Sequence, residues 1–416
     1  MNRCLKNLYD HLPVQEGLSF LKDNHNRTLD EQIKLTEIPA PPFKEKLRAS
    51  YMIQAFENYG LEDVEQDVEG NVTGLYRGSS DHPLLVVSAH MDTVFSEGTD
   101  TTVRRDKERL YAPGIFDDTR GLAEMLSIIR ALQKSQVQTD GSILFVATVG
   151  EEGIGNLRGV KALFDHRSDI CGFISIDGTN VGRLVYEATG SRRYKIEYTA
   201  TGGHSYGDFG LPSATHAAGR AIATIADHKL PAQPKTTFTV GEIHGGTAIN
   251  AIASSAHFLL DMRSTSIAAL DTLESEVLDA CRRAAEQENF HWEAGDDVKV
   301  DITCIGERPA GSQSQSATIV QIAAEAGRLV GIKPIFHGSG STDSNVPIHL
   351  GIPAVTVGRG GEGGSTHTLN EWFAPEKAYA GPQRTFLAML ALIGILGTSD
   401  PMLSSRNDAS MISQNE

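Results

Sequence analysis

Two histidines and several paired carboxylates stand in this 416-residue sequence where folding could bring them together. His90-Met91-Asp92 follows the apolar run Leu84–Ser88, and Asp117-Asp118 follow the loop Ala112–Phe116 and open a helical stretch. Glu151-Glu152 follow Ser142–Val149, and Asp177 follows Gly172–Ile176. His367 comes after Ile352–Val357 and the glycine-rich stretch GRGGEGG. Imidazole and carboxylate together are the donors that borderline divalent cations take, Zn²⁺ above all. Two such ions about 3.5–4 Å apart can share one carboxylate and clamp a water between them. A metal-bound water loses its proton near neutral pH, and a carboxylate outside the metal shell can accept it. The Glu151-Glu152 pair suits that division, one carboxylate binding and its neighbour acting as base. Asp92, two residues after His90, can orient that imidazole from behind.

Each residue alone has a plainer reading. A histidine after a strand is usually a hydrogen-bonded loop residue. Asp117-Asp118 can cap a helix and complement its dipole, Asp92 can cap a turn, Asp177-Gly178 is a turn signature, and Glu151-Glu152 can be surface charge. GRGGEGG reads as a flexible loop or an anion cradle. What favours chemistry is the set, two histidines and three or four carboxylates placed just beyond buried strands. In open α/β sheets, sites form at the carboxyl ends of the strands.

The elements that must deliver these residues follow from periodicity. Leu84–Ser88, Ser142–Val149, Gly172–Ile176 and Ile352–Val357 are near-continuous apolar runs, as expected of strands covered on both faces. Gly121–Leu132 and Ala317–Val330 carry helical spacing, as does the stretch from Lys44 to Tyr59. Strand and helix alternate, which predicts an α/β fold with an open, mostly parallel sheet flanked by helices. From about Thr189 to Cys304 the texture changes. Arg192–Thr199, Thr236–Val240 and Ala256–Arg263 alternate like half-exposed strands, with helical stretches Ser213–His228 and Ala268–Asn289 between them. This predicts a smaller α+β insert with an antiparallel sheet. The expected organisation is 1–188 as the first part of the main domain, 189–304 as the insert and 305–397 as the second part. Residues 398–416, rich in Ser, Asn and Asp, are expected to form a flexible tail.

Composition narrows the function classes. Lys and Arg number 37 against 53 Asp and Glu, a net charge of −16 that repels a polyanion, so no nucleic-acid partner is expected. The longest apolar run near the C-terminus, Phe386–Leu396, is shorter than the roughly 20 residues a membrane span needs. The first residues lack the apolar core of a signal peptide. Cys4, Cys171, Cys281 and Cys304 lie too far apart for a zinc knuckle or a disulfide framework. A cytoplasmic protein with free thiols and no membrane partner is expected. No G-x-S-x-G elbow and no suitably placed cysteine supports a serine or cysteine hydrolase.

The segments SAHMDTV, PGIFDDTRG, VGEEG, ISIDG, ATGGHS and STHTLNEW closely resemble the di-zinc peptidase T, aminoacylase and acetylornithine deacetylase superfamily, in its order and spacing from about Leu29 to Leu396. The resemblance implies a catalytic domain with an inserted lid or dimerisation domain. It implies two Zn²⁺ (Mn²⁺ or Co²⁺ being alternatives), one on His90, Asp117 and Asp177, the other on Asp117, Glu152 and His367. Glu151 would be the general base, and Asp92 would steer His90. His204 would reach the partner's site in a homodimer and stabilise the oxyanion, while Asn250 and Arg263 would contact substrate. For these last three, a turn role for His204 and Asn250 and neutralisation of Asp261 by Arg263 are the structural alternatives. Asp at 177 resembles the peptidase T branch, whereas Thr119-Arg120 stands where the family usually has lysine. The implied activity is cleavage of an amide bond in small peptides, as an aminopeptidase. The alternative is an N-acyl amino acid deacylase, and below both stands a non-catalytic metal-binding dimer.

Overall fold

Leu84–His90 and Ser142–Thr148 are buried along their whole length, and alternate side chains of each enter different cores. Leu85, Val87, Ile143 and Phe145 join one apolar cluster, and Leu84, Val86, Leu144 and Val146 join another. A strand apolar at both parities is stable only between two helical layers, each buried large side chain contributing about 1.5–3 kcal/mol. The structure, a computed structural model, describes residues 2–404 apart from 294 and 296. It divides into two units, one built from the chain up to Ala188 and from Ser312 onward, the other from Thr189–Gly311.

The first unit holds an eight-stranded sheet. Its order is Glu62–Gln66, Val72–Tyr76, Ser142–Thr148, Leu84–His90, Ile170–Gly178, Ala354–Gly358, Arg183–Val185 and Ile335–Phe336. The third to sixth strands run parallel, with His90 opposite Thr148 and Gly358 opposite Gly178. Their carboxyl ends therefore share one edge. Val72–Tyr76 runs antiparallel to Ser142–Thr148 on one side, and Arg183–Val185 antiparallel to Ala354–Gly358 on the other. The helices Thr119–Ser135, Thr318–Leu329 and Ala380–Ile393 send their apolar faces into the larger cluster.

The start of the chain belongs to the same core. Leu5 and Leu8 of the helix Asn2–Tyr9, and Val14, Leu18 and Leu21 of the helix Leu12–Asp23, are buried in it. Gly17 lies so close to the Phe386 ring that any β-carbon there would overlap it. The segment after the last helix is docked as well: Met402 N–H donates to Ala391 O at 3.3 Å and Leu403 N–H to Leu392 O at 2.9 Å. The expectation of a flexible tail from Thr398 meets this ordered packing up to residue 404, and residues 405–416 lie outside the described residues.

The second unit has a four-stranded antiparallel sheet, ordered Thr236–Gly245, Ser255–Ser264, Gly190–Thr199, Lys299–Arg308. Along Ser255–Ser264 the even-numbered residues Ala256 to Met262 are buried with the helices Ala214–Ala226 and Ile267–His291. The unit ends at Gly311 rather than Cys304 because Lys299–Arg308 is one unbroken strand running through Cys304.

Gly17→Val forces overpacking against Phe386. We expect it to lower unfolding stability by about 1–3 kcal/mol, with an unchanged m-value in urea titration.

Candidate metal centre

At the shared strand edge of the first unit, His90 is the last residue of its strand and is 2% exposed. Its Nε2 lies 3.2 Å from Asp117 Oδ1 and 3.8 Å from Asp177 Oδ1. Asp117 turns its other oxygen toward His367, whose Nε2 is 3.3 Å from Asp117 Oδ2 and 2.7 Å from Glu152 Oε1. One carboxylate thus faces an imidazole on each side. Ligands at about 2.0–2.1 Å in a tetrahedral shell stand roughly 3.3 Å apart. The observed spacings bracket that value, and the imidazole–carboxylate mix suits a borderline divalent cation. His90, Asp117 and Glu152 also present ligand atoms that all lie within 4.8 Å of one another.

Asp118 forms a further group with His90 and Asp177, their ligand atoms within 4.8 Å of one another, but N–H donors hold both its oxygens. His90 N–H donates to Oδ2 at 3.0 Å, and Gly121 N–H and Arg359 Nε to Oδ1 at 3.1 and 2.6 Å. It is the N-cap of Thr119–Ser135 and, across a cis Asp117–Asp118 peptide, the buttress beneath Asp117.

Asp92 meets His90 through its backbone. His90 Nδ1 meets the Asp92 carbonyl oxygen at 3.0 Å, while the nearest carboxylate oxygen is 3.7 Å away. The carboxylate instead accepts the backbone N–H groups of Glu151 at 3.0 Å and Glu152 at 2.8 Å. One side chain therefore pins both glutamates, which are 5% and 7% exposed.

Three acidic or basic groups central to this geometry were not singled out from the sequence. Glu371, fully buried, accepts N–H groups from Gly114 at 3.1 Å, Phe116 at 2.8 Å and Asp117 at 2.9 Å, so it shapes the loop that presents Asp117. Burial, aided by the Asp117 charge, pushes its carboxyl up to about 7 against the pull of those donors. Asp343, also buried, accepts Thr148 Oγ1 at 2.5 Å, and burial pushes it up to about 7. Arg359 is fully buried, and its Nη2 reaches both Asp117 Oδ1 and Asp177 Oδ1. Glu371 lies inside STHTLNEW, whereas Arg359 lies inside GRGGEGG, whose glycines suggest a loop or cradle. That stretch is in fact partly sheet: Glu362–Gly364 pairs with Trp372–Ala374, which pairs with Arg109–Tyr111. His367 sits in the connection of this hairpin, with φ of 63° and its side chain half exposed.

The electrostatics follow from these contacts. Burial would raise Asp117, but the Arg359 guanidinium and hydrogen bonds from His367 and His90 hold it well below the usual carboxylate range. Asp177 is pushed up to about 6 by burial, against the opposing pull of Arg359. Hydrogen bonds to Asp117 and Glu152 push His367 up to about 10, so a positive charge is strongly favoured between those two carboxylates.

The other three expected residues lie in the second unit. His204 is in Gly203–His204, paired with Ala251–Ile252, and its Nδ1 accepts N–H from Tyr206 at 3.3 Å and Gly207 at 3.2 Å. Asn250 is beside it, accepting Ser205 N–H at its carbonyl oxygen at 3.0 Å. Arg263 is separate, near the far end of Ser255–Ser264, with Nε on Asp261 Oδ2 at 2.7 Å. A further group, Glu242, His244 and His257, lies on the same unit's sheet with ligand atoms within 4.8 Å of one another.

Comparison with known proteins places these observations. The pattern of Peptidase family M20/M25/M40 matches residues 86–391. A putative LysW-lysine/LysW-ornithine hydrolase of Pyrococcus furiosus is 29% identical over 203 residues, 49% of this chain and 53% of that protein, so the chain spans about half that relative's length. A succinyl-diaminopimelate desuccinylase of Nitrosospira multiformis is 26% identical over 342 residues, covering 77% of this chain and 86% of that one. The crystal structure of a tripeptidase from Staphylococcus aureus superposes with a TM-score of 0.74 at 25% identity, over 88% of this chain and 97% of that one.

Glu371→Gln replaces one accepting oxygen with an NH₂ group facing a backbone donor. We expect a loss of about 1–3 kcal/mol in stability, measured by urea unfolding of the metal-free protein.

Proposed function

The chain is a hydrolase belonging to peptidase family M20/M25/M40, and from that premise we propose that it is a two-cation metallohydrolase that cuts an amide bond in small peptides, as an aminopeptidase acting on di- and tripeptides. The observation that carries this reading is the division of Asp117 between His90 and His367, with Asp177 and Glu152 completing the two halves. His90, Asp117 and Asp177 would hold one cation and Asp117, Glu152 and His367 the other, zinc being the first choice and Mn²⁺ or Co²⁺ the alternatives. When bound, the cations supply Lewis-acid polarisation of a carbonyl and an acidified water.

The chain's own residues do the rest. Glu151 accepts the proton of the attacking water and delivers it to the departing amine. Asp92 fixes the backbone of Glu151 and Glu152 together, so base and ligand start from neighbouring, immobile positions. His204 accepts two backbone N–H groups at Nδ1, which leaves the proton on Nε2 and makes the ring a neutral donor, the form an oxyanion needs. The resemblance supports a homodimer in which His204 serves the partner's site, with Asn250 and Arg263 contacting substrate carboxylate or carbonyl groups. A cytoplasmic location fits four free cysteines and the lack, among the described residues, of any helix long and apolar enough to cross a membrane.

A second reading is deacylation of N-acyl amino acids at the same site, favoured by the likeness to the desuccinylase over most of both chains. Free-amine di- and tripeptides assayed beside N-acetyl and N-succinyl amino acids separate the two. Turnover confined to the acylated set would replace the aminopeptidase reading. Glu151→Gln is expected to retain bound zinc by elemental analysis while kcat falls by about 10²–10⁴-fold. Undiminished turnover would remove Glu151 from its role.

A further inference from the structure

Arg359 is the one side chain in the cluster whose charge neither metal binding nor pH can remove. Its backbone is clamped on both sides. Its own N–H donates to Gly178 O at 2.9 Å, and the next residue, Gly360, gives its N–H to Glu124 and its carbonyl to Arg120 Nε at 3.2 Å. Its side chain spans the strand edge with no exposure. Nε is on Asp118 Oδ1 at 2.6 Å, Nη2 is on Asp117 Oδ1 and Asp177 Oδ1, and the guanidinium lies 5.0 Å from the centre of the Phe116 ring.

These contacts make the two halves of the cluster unequal. On the His90 side, Asp117 Oδ1 and Asp177 Oδ1 both already serve the guanidinium. On the His367 side, Asp117 Oδ2 and Glu152 Oε1 face a half-exposed imidazole, itself a ligand type for a divalent ion, rather than a buried guanidinium. We propose that Arg359 is a resident cation of this site. It holds Asp117, Asp118 and Asp177 together in the metal-free chain, and it weakens the His90, Asp117, Asp177 half for a divalent ion relative to the Asp117, Glu152, His367 half. Arg359 is thus a positioning residue that sets the order in which the site fills. The inference rests on the two-cation reading above.

Chelator-stripped full-length protein titrated with Zn²⁺ by calorimetry, with a competing chelator, tests it. Wild type should bind two ions in steps at least tenfold apart, and His367→Ala should abolish the tighter step. Arg359→Gln should narrow the gap at least tenfold. It should also lower Tm far more without zinc than with saturating zinc, a difference that a merely structural arginine would not produce. Arg359→Lys keeps the charge but not the fork, and should hold most of the metal-free Tm with an intermediate gap. It decides the matter if Arg359→Gln does not fold at any zinc concentration. Two ions bound with a gap untouched by either substitution overturn the role of Arg359 while leaving the two-cation site intact. One ion in wild type and every variant overturns the two-cation reading, and this inference with it.

Discussion

Carboxylates delivered to one buried edge of a sheet repel one another, and burial removes the water that would screen them. Asp92, Asp177, Glu151 and Glu152 meet this condition at the ends of parallel strands, and Asp117 and Asp118 join them from the start of the helix Thr119–Ser135. An ionised carboxylate taken out of water without partners costs several kcal/mol. The edge is therefore stable only because each fixed acid has been given donors. Asp92 takes two backbone N–H groups, Asp118 takes two and a guanidinium nitrogen, and Glu371 takes three. A hydrogen bond contributes about 0.5–1.5 kcal/mol net, so two or three on each supporting acid hold it in place. The candidate ligands differ in kind: Asp117, Asp177 and Glu152 are compensated mainly by side-chain cations. Backbone donors thus hold the supporting acids, whereas the candidate ligands face side-chain cations, a fixed guanidinium on Asp117 and Asp177 and an imidazole on Asp117 and Glu152.

Much of this was legible in the sequence because parity and chemistry coincide there. A strand apolar at every position, such as Leu84–Ser88, announces cover on both faces. A polar residue immediately after it must then lie at the sheet's edge. His90, Glu151-Glu152 and Asp177 all follow that rule, and the alternating Ala256–Arg263 with its flanking helices marked a one-sided antiparallel sheet just as clearly. The helices before Leu29 were less legible because their apolar stripe is short and meaningful only against Phe386 and its neighbours, more than three hundred residues away. The ordered segment to residue 404 escaped for a similar reason. Its composition is that of a tail, and Leu403 reads as isolated until the helix Ala380–Ile393 is in place to cover it.

The parts of the site that were less legible share one cause. Local sequence announces a residue type, but not which of its atoms does the work. Asp92 sits two residues from His90, a spacing that shows it can orient the imidazole but not which of its atoms does so. The backbone turns so that the carbonyl meets the imidazole and the carboxylate is released toward Glu151 and Glu152. Arg359 was hidden among glycines that suggested mobility. Those glycines permit close approach: a β-carbon at Gly358 would strike Asn180 O, and one at Gly363 would strike the Phe116 ring. The stretch is glycine-rich because it is tightly packed.

The hairpin that follows links the two histidine sides mechanically. Trp372–Ala374 pairs with both Glu362–Gly364 and Arg109–Tyr111, so the connection that carries His367 and the loop that carries Asp117 belong to one small sheet. Glu371, just before the central strand, ties that loop from the inside. Asp117 is thereby positioned by its own helix start through Asp118, by the hairpin through Glu371, and by the neighbouring main-sheet strand through Arg359. A residue that must face two imidazoles at once needs more constraint than either histidine does, because any rotation that favours one withdraws an oxygen from the other. Two of these supports, Arg359 and Glu371, lie 242 and 254 residues along the chain from Asp117. The placement of Asp117 therefore depends on both the early and the late parts of the first unit.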